Sequence, residues 1–353
     1  MEETGVNRGR RRRGGEGPTV ADVARAAGVS LMTVSRVVNG ESRVSVETRS
    51  RVEQAIEQLN YVPNPAARSL AGGGQCRLAL LYDNPSASFL SELLVGSLDQ
   101  ARRSDAQLLL EPYDPGEPTR ALVSRLGKHR IDGVLLPAPL GDQADVVSAL
   151  AAAGLPLARV AATVAMPHGH AVEIDDEAAA HAMARHLIDL GHRRIGFIAG
   201  SARYPVSALR LAGFERALRE AGLSLEPGLV ARGDYTYRAG LEAAEQLLSL
   251  SPRPTAIFAS NDDMAAGAMA AAHRHGLDVP RDLSICGFDD TATARSIWPE
   301  LTTIRQPAAD MAARAVAILA EHVAVARRHQ AMAQRVEPMS FELIRRASDG
   351  PPA

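Results

Sequence analysis

The chain has 353 residues, 46% of them hydrophobic and 23% charged, with a formal net charge of −2. This is an ordinary globular composition, long enough for two to three domains. With no run of 18 apolar residues and only two cysteines, Cys76 and Cys286, it offers no candidate transmembrane helix, no disulfide framework and no multi-cysteine zinc site.

The charge is unevenly spread. The first 74 residues hold 11 Arg and no Lys against 8 acidic residues, a net of +3, while the remainder carries −5. Arg8 and Arg10 to Arg13 form a basic run among glycines, so residues 1–17 are expected to be a disordered arm. Such an arm is either a solvated tail or one that touches phosphates. No apolar h-region precedes a cleavage site, which argues against secretion, and the cysteine usage fits a reducing cytoplasm.

From Pro18 to Asn60 the spacing predicts three short helices. Thr19 caps the first, whose Val20, Val23, Ala24 and Ala27 recur at helical spacing, and Gly28 breaks it. Ser30 caps the second, which Gly40 ends. Ser45 caps the third, with Val52, Ile56 and Leu59 on one face and a stop before Pro63. On the second helix, Val34, Val37 and Val38 share a face, so Met32 and Arg36 point away from it, flanked by Thr33 and Ser35. Two helices joined through Gly28, the second with a polar outer face, make a helix-turn-helix, whose second helix lies in the DNA major groove. A small structural subdomain with a solvated face is the alternative. In the DNA-binding reading, Arg36 donates to a guanine edge or a phosphate, and Ser30, Thr33 and Ser35 bond phosphates or bases. Leu31 and Met32 then touch thymine methyls. Leu31 lies roughly 70° from the centre of the valine face, so half burial is its alternative.

Next, in "NPAARSLAGGG", Asn64 is a good N-cap, Pro65 suits the first helical position and Gly72 to Gly74 end the segment. A helix of about two turns is marginal alone in water, so it should form only when something holds it. From Arg77 onward, "RLALLYD", "IDGVLLPAP", "RRIGFIAG", "TAIFASND" and "LSICGFDD" are short apolar runs ending in turns, separated by alanine-rich helical stretches. This alternation predicts parallel sheets with helices on both faces. There is no G-x-S-x-G, P-loop or G-x-G-x-x-G, so catalysis has no support. His181, His186, "HGH" at 168–170 and "HRH" at 273–275 lack the accompanying cysteines or carboxylates of a zinc site, and no metal is expected.

"TVADVARAAGVSLMTVSRVVNG" followed by "VSVETRSRVEQAIEQLNYVPNPAARSLAG" resembles the DNA-binding segment of the LacI/GalR repressor family. The likeness continues through "LIDLGHRRIGFIAG", "ALRLAGF", "TAIFASNDDMAAGAM", "GLDVPRDLSICGFDD" and "LTTIRQP", covering Pro18 to about Arg346. The resemblance implies a small all-α helix-turn-helix domain plus an α/β periplasmic-binding-protein-like core of two doubly wound parallel-sheet subdomains. The expected boundaries are a helix-turn-helix domain at 18–63, a hinge helix and linker at 64–74 and a core at 75–346. Within that core, an N-subdomain takes about 75–175 and 305–333, a C-subdomain 176–304 and 334–346, and a disordered tail follows at 347–353. The implied function is a homodimeric, cytoplasmic, nucleoid-associated repressor of carbohydrate-utilisation genes. It binds a palindromic operator in double-stranded DNA and answers to a small-molecule effector, a carbohydrate. No enzyme activity, cofactor or membrane partner is implied. A plain solute-binding protein would share Arg77 to Arg346 but would need export.

By family position, Ser30, Thr33, Ser35 and Asn39 anchor the recognition helix, Leu31 and Met32 choose the operator, and Arg36 reads bases. Ser45, Thr48 and Tyr61 contact the DNA backbone, as does Asn64 at the hinge. Ala67 shares the hinge with Leu70, which either wedges into the minor groove or packs against its dimer mate, two roles that are compatible. In the core, ligands sit beyond the C-terminal ends of the strands. Asp83, Asn84, Asn261, Asp262 and Asp289 follow apolar runs there. Arg210 and Asp289 are the leading effector residues, joined by Asn84, Phe89, Tyr235 and Asn261. Asp289 could instead only pair with an arginine across the cleft, and Phe89 could be core. Asp262 is expected to cap the helix after "ASN", and His192 to be structural at the start of a strand. Tyr204 and Val206 stand where relatives often put a hydroxyl or an arginine, and "LYDNP" departs from the purine and lactose regulators, so those ligands are not carried over. The ending "FELIRRASDGPPA" has no leucine heptads, so no tetramer built by such a tail is expected.

Overall fold

A computed structural model describes residues 18–38, 44–61 and 75–353. The expectations for residues 1–17 and for Asn39, Gly40, Asn64, Ala67 and Leu70 concern residues outside that set. The chain divides into two compact units, Met1–Gln75 and Cys76–Ala353.

The first unit holds α1 (Val20–Ala27), α2 (Leu31–Val38) and α3 (Val46–Gln58). Its helices start where the sequence places caps. The Thr19 hydroxyl accepts from the Asp22 N–H while the Asp22 carboxylate accepts from the Thr19 N–H, a reciprocal capping box. Gly28 leaves α1 at φ +64°, a left-handed position that costs any residue with a Cβ. Ser30 accepts from the Thr33 N–H and Ser45 from the Thr48 N–H. The core is made of Val23, Ala24, Ala27, Val34, Val37, Val52, Ala55 and Tyr61, mostly small side chains that let three short helices approach closely.

The second unit runs β1 (Cys76–Tyr82), α4 (Ala87–Arg103), β2 (Ala106–Pro112), α5 (Thr119–Lys128), β3 (Gly133–Pro137), α6 (Ala144–Ala152), β4 (Leu157–Val160), β5 (His170–Glu173) and α7 (Asp176–Asp189). It continues through β6 (Ile195–Ala199), α8 (Pro205–Glu220), β7 (Val230–Arg232), α9 (Tyr237–Leu248), β8 (Ala256–Ala259), α10 (Asp262–Arg274), β9 (Ser284–Asp289) and α11 (Ala292–Ser296). The last elements are β10 (Thr302–Arg305), α12 (Ala308–Ala326), β11 (Val336–Pro338) and β12 (Glu342–Ile344). The strands form two six-stranded sheets, ordered β11-β5-β4-β3-β1-β2 and β12-β10-β9-β8-β6-β7, parallel except for β12 against β10. β3, β6, β8 and β9 are buried along their whole length, as strands covered by helices on both faces must be. Gly96 sets one helix packing: a Cβ there would lie 1.9 Å from the Ala309 carbonyl oxygen, so α4 and α12 meet only over a bare backbone.

The two doubly wound parallel sheets match the fold expectation, with two corrections. The chain passes between subdomains after β5, after β10 and again between β11 and β12. Val336–Pro338 pairs in parallel with Ala171–Glu173 of the first sheet, so the return to the second subdomain comes after residue 338, not at 334. "VEP" carries no apolar alternation that could reveal an edge strand. The expected disordered tail is also packed. Ser348 is fully buried, donating to the Ile285 carbonyl and accepting from the Thr302 N–H. Asp349 meets His186 at 2.6 Å and the Thr302 hydroxyl, and the Gly350 carbonyl meets His192. Polar groups satisfied by partners more than 40 residues away leave no local signal.

Candidate functional site

Two regions gather the candidate residues, one in each unit. On the first unit, α2 buries Val34 and Val37 and turns Leu31 and Met32 outward, 53% and 63% exposed. This excludes the half-buried alternative for Leu31. Arg36 is exposed beside them, and Thr33 and Ser35 are half-buried. Two large apolar side chains held in water next to hydroxyls and a guanidinium gain nothing for this small fold and suit a base-edge surface. The hydroxyls are already ordered: Ser30 and Thr33 lie 2.9 Å apart, as do Ser45 and Thr48. Each cap serine thereby presents a fixed pair of oxygens at a helix N-terminus, where phosphate contacts form readily. Tyr61 differs from its neighbours in the expectation, because its ring belongs to the core and not to the exposed face.

In the second unit, a cleft opens where each sheet reverses its strand order, between β1 and β3 in the first and between β6 and β8 in the second. It encloses about 490 Å³ of empty space, its mouth included, within the usual range of small-molecule sites. All six expected effector residues line it: Asn84, Phe89, Arg210, Tyr235, Asn261 and Asp289. Phe89 is both core and wall, 5% exposed. Tyr204 and Val206, the two departures from the family pattern, also face the cleft, and the Tyr204 ring stacks on Tyr235 with centroids 5.9 Å apart. Ser86, Asp142 and Gln306 complete its polar wall and were not anticipated. For Gln306 the signal was present in "LTTIRQP", one residue past a strand, whereas Asp142 sits in an irregular turn with no pattern to mark it.

The polar groups of the cleft are bound to one another. Arg210 stacks on the Phe288 ring, 3.6 Å from its centroid. Its Nε and Nη2 each reach Asp176 at 2.8 Å, and Nη1 donates to the Ser260 carbonyl. Asp289 lies 3.8 Å from the same guanidinium, and Gln306 donates to it at 2.6 Å. The arginine therefore belongs chiefly to Asp176, and pairing with Arg210 is not the whole role of Asp289. Burial pushes the Asp289 carboxyl up to about 7 against the pull of Arg210 and Gln306. Burial likewise raises the Tyr235 phenol to about 12, its hydroxyl 2.7 Å from Ser207. Asn261 caps α10 by accepting from the Met264 N–H and donates to the Tyr235 carbonyl. The cap of that helix is thus Asn261, not Asp262. Asp262 is buried one residue later, bound by Thr291 and Thr303. Asp83 lies outside the wall, its carboxyl raised by burial and opposed by the Arg203 charge. His192 is fully buried and bonds Thr255 and Ser284, the structural role expected of it.

An outward-facing helix-turn-helix in one unit and a cleft at paired switch points in the other now stand in one chain. Residues 19–64 match the family model for bacterial regulatory proteins of the lacI family, and residues 184–348 match that for a periplasmic binding protein-like domain. The catabolite control protein A of Priestia megaterium is 37% identical over 307 residues, covering 86% of this chain and 92% of that protein. The chain belongs to the LacI family. This LacI-family member is a DNA-binding transcriptional regulator and not an enzyme. The HTH-type transcriptional repressor CytR of Escherichia coli (strain K12) is 34% identical over 86% of this chain and 89% of its own. Among solved structures, the lac repressor dimer bound to operator and the anti-inducer ONPF superimposes with a TM-score of 0.75. It is 30% identical and covers 94% of this chain and 99% of that one. A complex of the transcriptional regulator CelR with cellobiose gives 0.70 at 29% identity, with the same coverage of 94% and 99%. Among the described residues, no helix is long and apolar enough to cross a membrane.

Proposed function

We propose that this LacI-family regulator is a repressor of carbohydrate-utilisation genes that binds a palindromic operator as a homodimer and releases or grips it according to a sugar in the cleft. The observation that carries this reading is the pairing, in one chain, of exposed Leu31, Met32 and Arg36 on α2 with a ligand-sized cleft. Relatives support the same assignment: one is titled a repressor, one a dimer on operator, one a complex with cellobiose. In this reading Ser30, Thr33, Ser35, Asn39, Ser45, Thr48, Tyr61, Asn64 and Ala67 hold the phosphate backbone and the hinge, and Leu70 wedges into the minor groove. The second copy covers an apolar strip on the first subdomain, where Val95 and Leu98 of α4 are 61% and 53% exposed and Leu110 of β2 is 48% exposed. The protein works in the cytoplasm, at the nucleoid.

Cleft closure is the step that transmits the signal. Ser86 and Ser88 of the first subdomain donate to Asp263 of the second at 2.7 and 2.6 Å, so the two lips are already bonded to each other. A ligand between the subdomains changes their relative angle and with it the spacing of the paired hinges at 64–74. By linkage, operator DNA changes sugar affinity by the same factor.

Selection of random duplexes by the purified protein, followed by titration of sugars against the recovered site, tests the reading. The expected outcome is a palindrome with A·T pairs in each half-site and a central C·G step, whose occupancy shifts with a sugar. Binding that enriches no sequence and survives removal of residues 1–74 would refute it.

A further inference from the structure

The floor of the cleft offers a hydrogen-bond acceptor and no uncommitted positive charge. Gln306 is 3% exposed and lines the cleft. Its Nε2 is spent on Asp289, while its Oε1 has no hydrogen-bond partner among the described residues. A buried amide oxygen left so is costly unless a donor reaches it, and the space in front of it is the ligand cleft. The neighbouring groups are already matched. Arg210 is the cation of the wall, and its charge is held by Asp176, with Asp289 at 3.8 Å. Asp142, on the same wall, takes the N–H groups of Thr163 and Val164. Asn84 and Asn261 each use both ends of their amides on neighbouring residues.

The helix ends that face the cleft are matched in the same way. α10 begins with Asp262 and Asp263 in its first turn. The N-cap of α4 is Ser86, whose hydroxyl accepts from the Phe89 N–H and donates to Asp263. Their positive ends already face carboxylates. A phosphate monoester carries between one and two negative charges near pH 7 and presents acceptor oxygens. In this cleft it would meet Asp289, Asp142 and another acceptor at Gln306, with no free cation to compensate. A sugar hydroxyl, by contrast, donates to Gln306 Oε1 while its C–H face lies on Tyr204 and Phe89.

We infer that the effector of this cleft is an uncharged polyol, an unphosphorylated sugar anchored by a hydroxyl donated to Gln306 Oε1, and that phosphorylated sugars are rejected. This rests on the ligand-sensing reading above and goes further, to the charge and hydrogen-bond polarity of the ligand.

The test is calorimetric titration of the full chain with glucose, galactose, ribose, maltose and cellobiose, and with glucose 6-phosphate, galactose 1-phosphate and ribose 5-phosphate. One neutral sugar is expected to bind, and its phosphate to bind at least about 100-fold more weakly. Deoxy analogues of that sugar then locate the anchoring hydroxyl. Loss of that hydroxyl should cost wild type about 10-fold or more and cost Gln306→Met little, since the acceptor is already gone. Thermal unfolding of Gln306→Met guards against a folding defect, and the deoxy series in wild type stands without the variant. A phosphorylated sugar that binds as tightly as its parent overturns the inference and leaves ligand sensing intact. Deoxy analogues that all bind like the parent overturn the role of Gln306. If no sugar or phosphate binds, the carbohydrate-sensing reading fails and the inference with it.

Discussion

The recognition face and the cleft use polar side chains in opposite ways. On α2 the working groups stand in solvent, and the fold beneath them is a handful of valines and alanines. In the cleft Arg210, Asn261, Asp289 and Gln306 are all at least nine-tenths buried and hold one another. A surface that reads DNA keeps its groups free and lets the duplex order them, so each residue contributes on its own. A pocket that closes on a small molecule must satisfy its buried groups before the ligand arrives, and so acts as a unit.

The largest effect should come from breaking that unit. Arg210→Met removes the partner of fully buried Asp176 and strands the Ser260 carbonyl. Breaking a buried pair in this way costs about 3–5 kcal/mol, measurable by urea unfolding, and sugar binding should be lost. An unchanged unfolding midpoint would mean that the cleft tolerates unpaired charge and that the contrast is overstated.

Asp289 sharpens the comparison through pH. Its folded carboxyl titrates near 7, above its ordinary value of 3.8. The native state therefore holds a proton that the unfolded chain releases as pH rises from about 4 to 7, and stability falls across that window. Asp289→Asn carries no charge to bury, so it should be more stable than wild type at pH 8. The gain should be of the order of 1–3 kcal/mol, one pKa unit being worth about 1.4 kcal/mol, and should vanish towards pH 4. Parallel unfolding curves at pH 5 and 8 check the sign. A variant less stable than wild type at pH 8 would show that ionised Asp289 is favoured by Arg210.

The smallest effect on the fold belongs to the DNA face. Met32→Ala should leave unfolding within about 0.5 kcal/mol of wild type, since the side chain is 63% exposed. It should weaken the selected operator by about 1 kcal/mol through lost contact with a thymine methyl, with little change on a duplex altered at that base pair. Equal weakening on both duplexes, measured by fluorescence anisotropy, would remove Met32 from sequence reading.

By itself the sequence determined what depends on neighbours along the chain. Helical spacing and the Thr19, Ser30 and Ser45 caps placed the three small helices, and the apolar runs announced two parallel sheets. Residues just past those runs then pointed to Asn84, Asn261 and Asp289, because a parallel sheet puts its strand ends on one side. Only the tertiary structure decided which polar groups satisfy which. Asp176 holds Arg210 from another helix, Gln306 holds Asp289, and Ser348 and Asp349 close onto strands some 50 to 160 residues away. Local periodicity carries the cost of burying apolar surface. The cost of burying a charge is met by whatever partner the fold brings within 3 Å, and nothing in the spacing of a sequence records that partner.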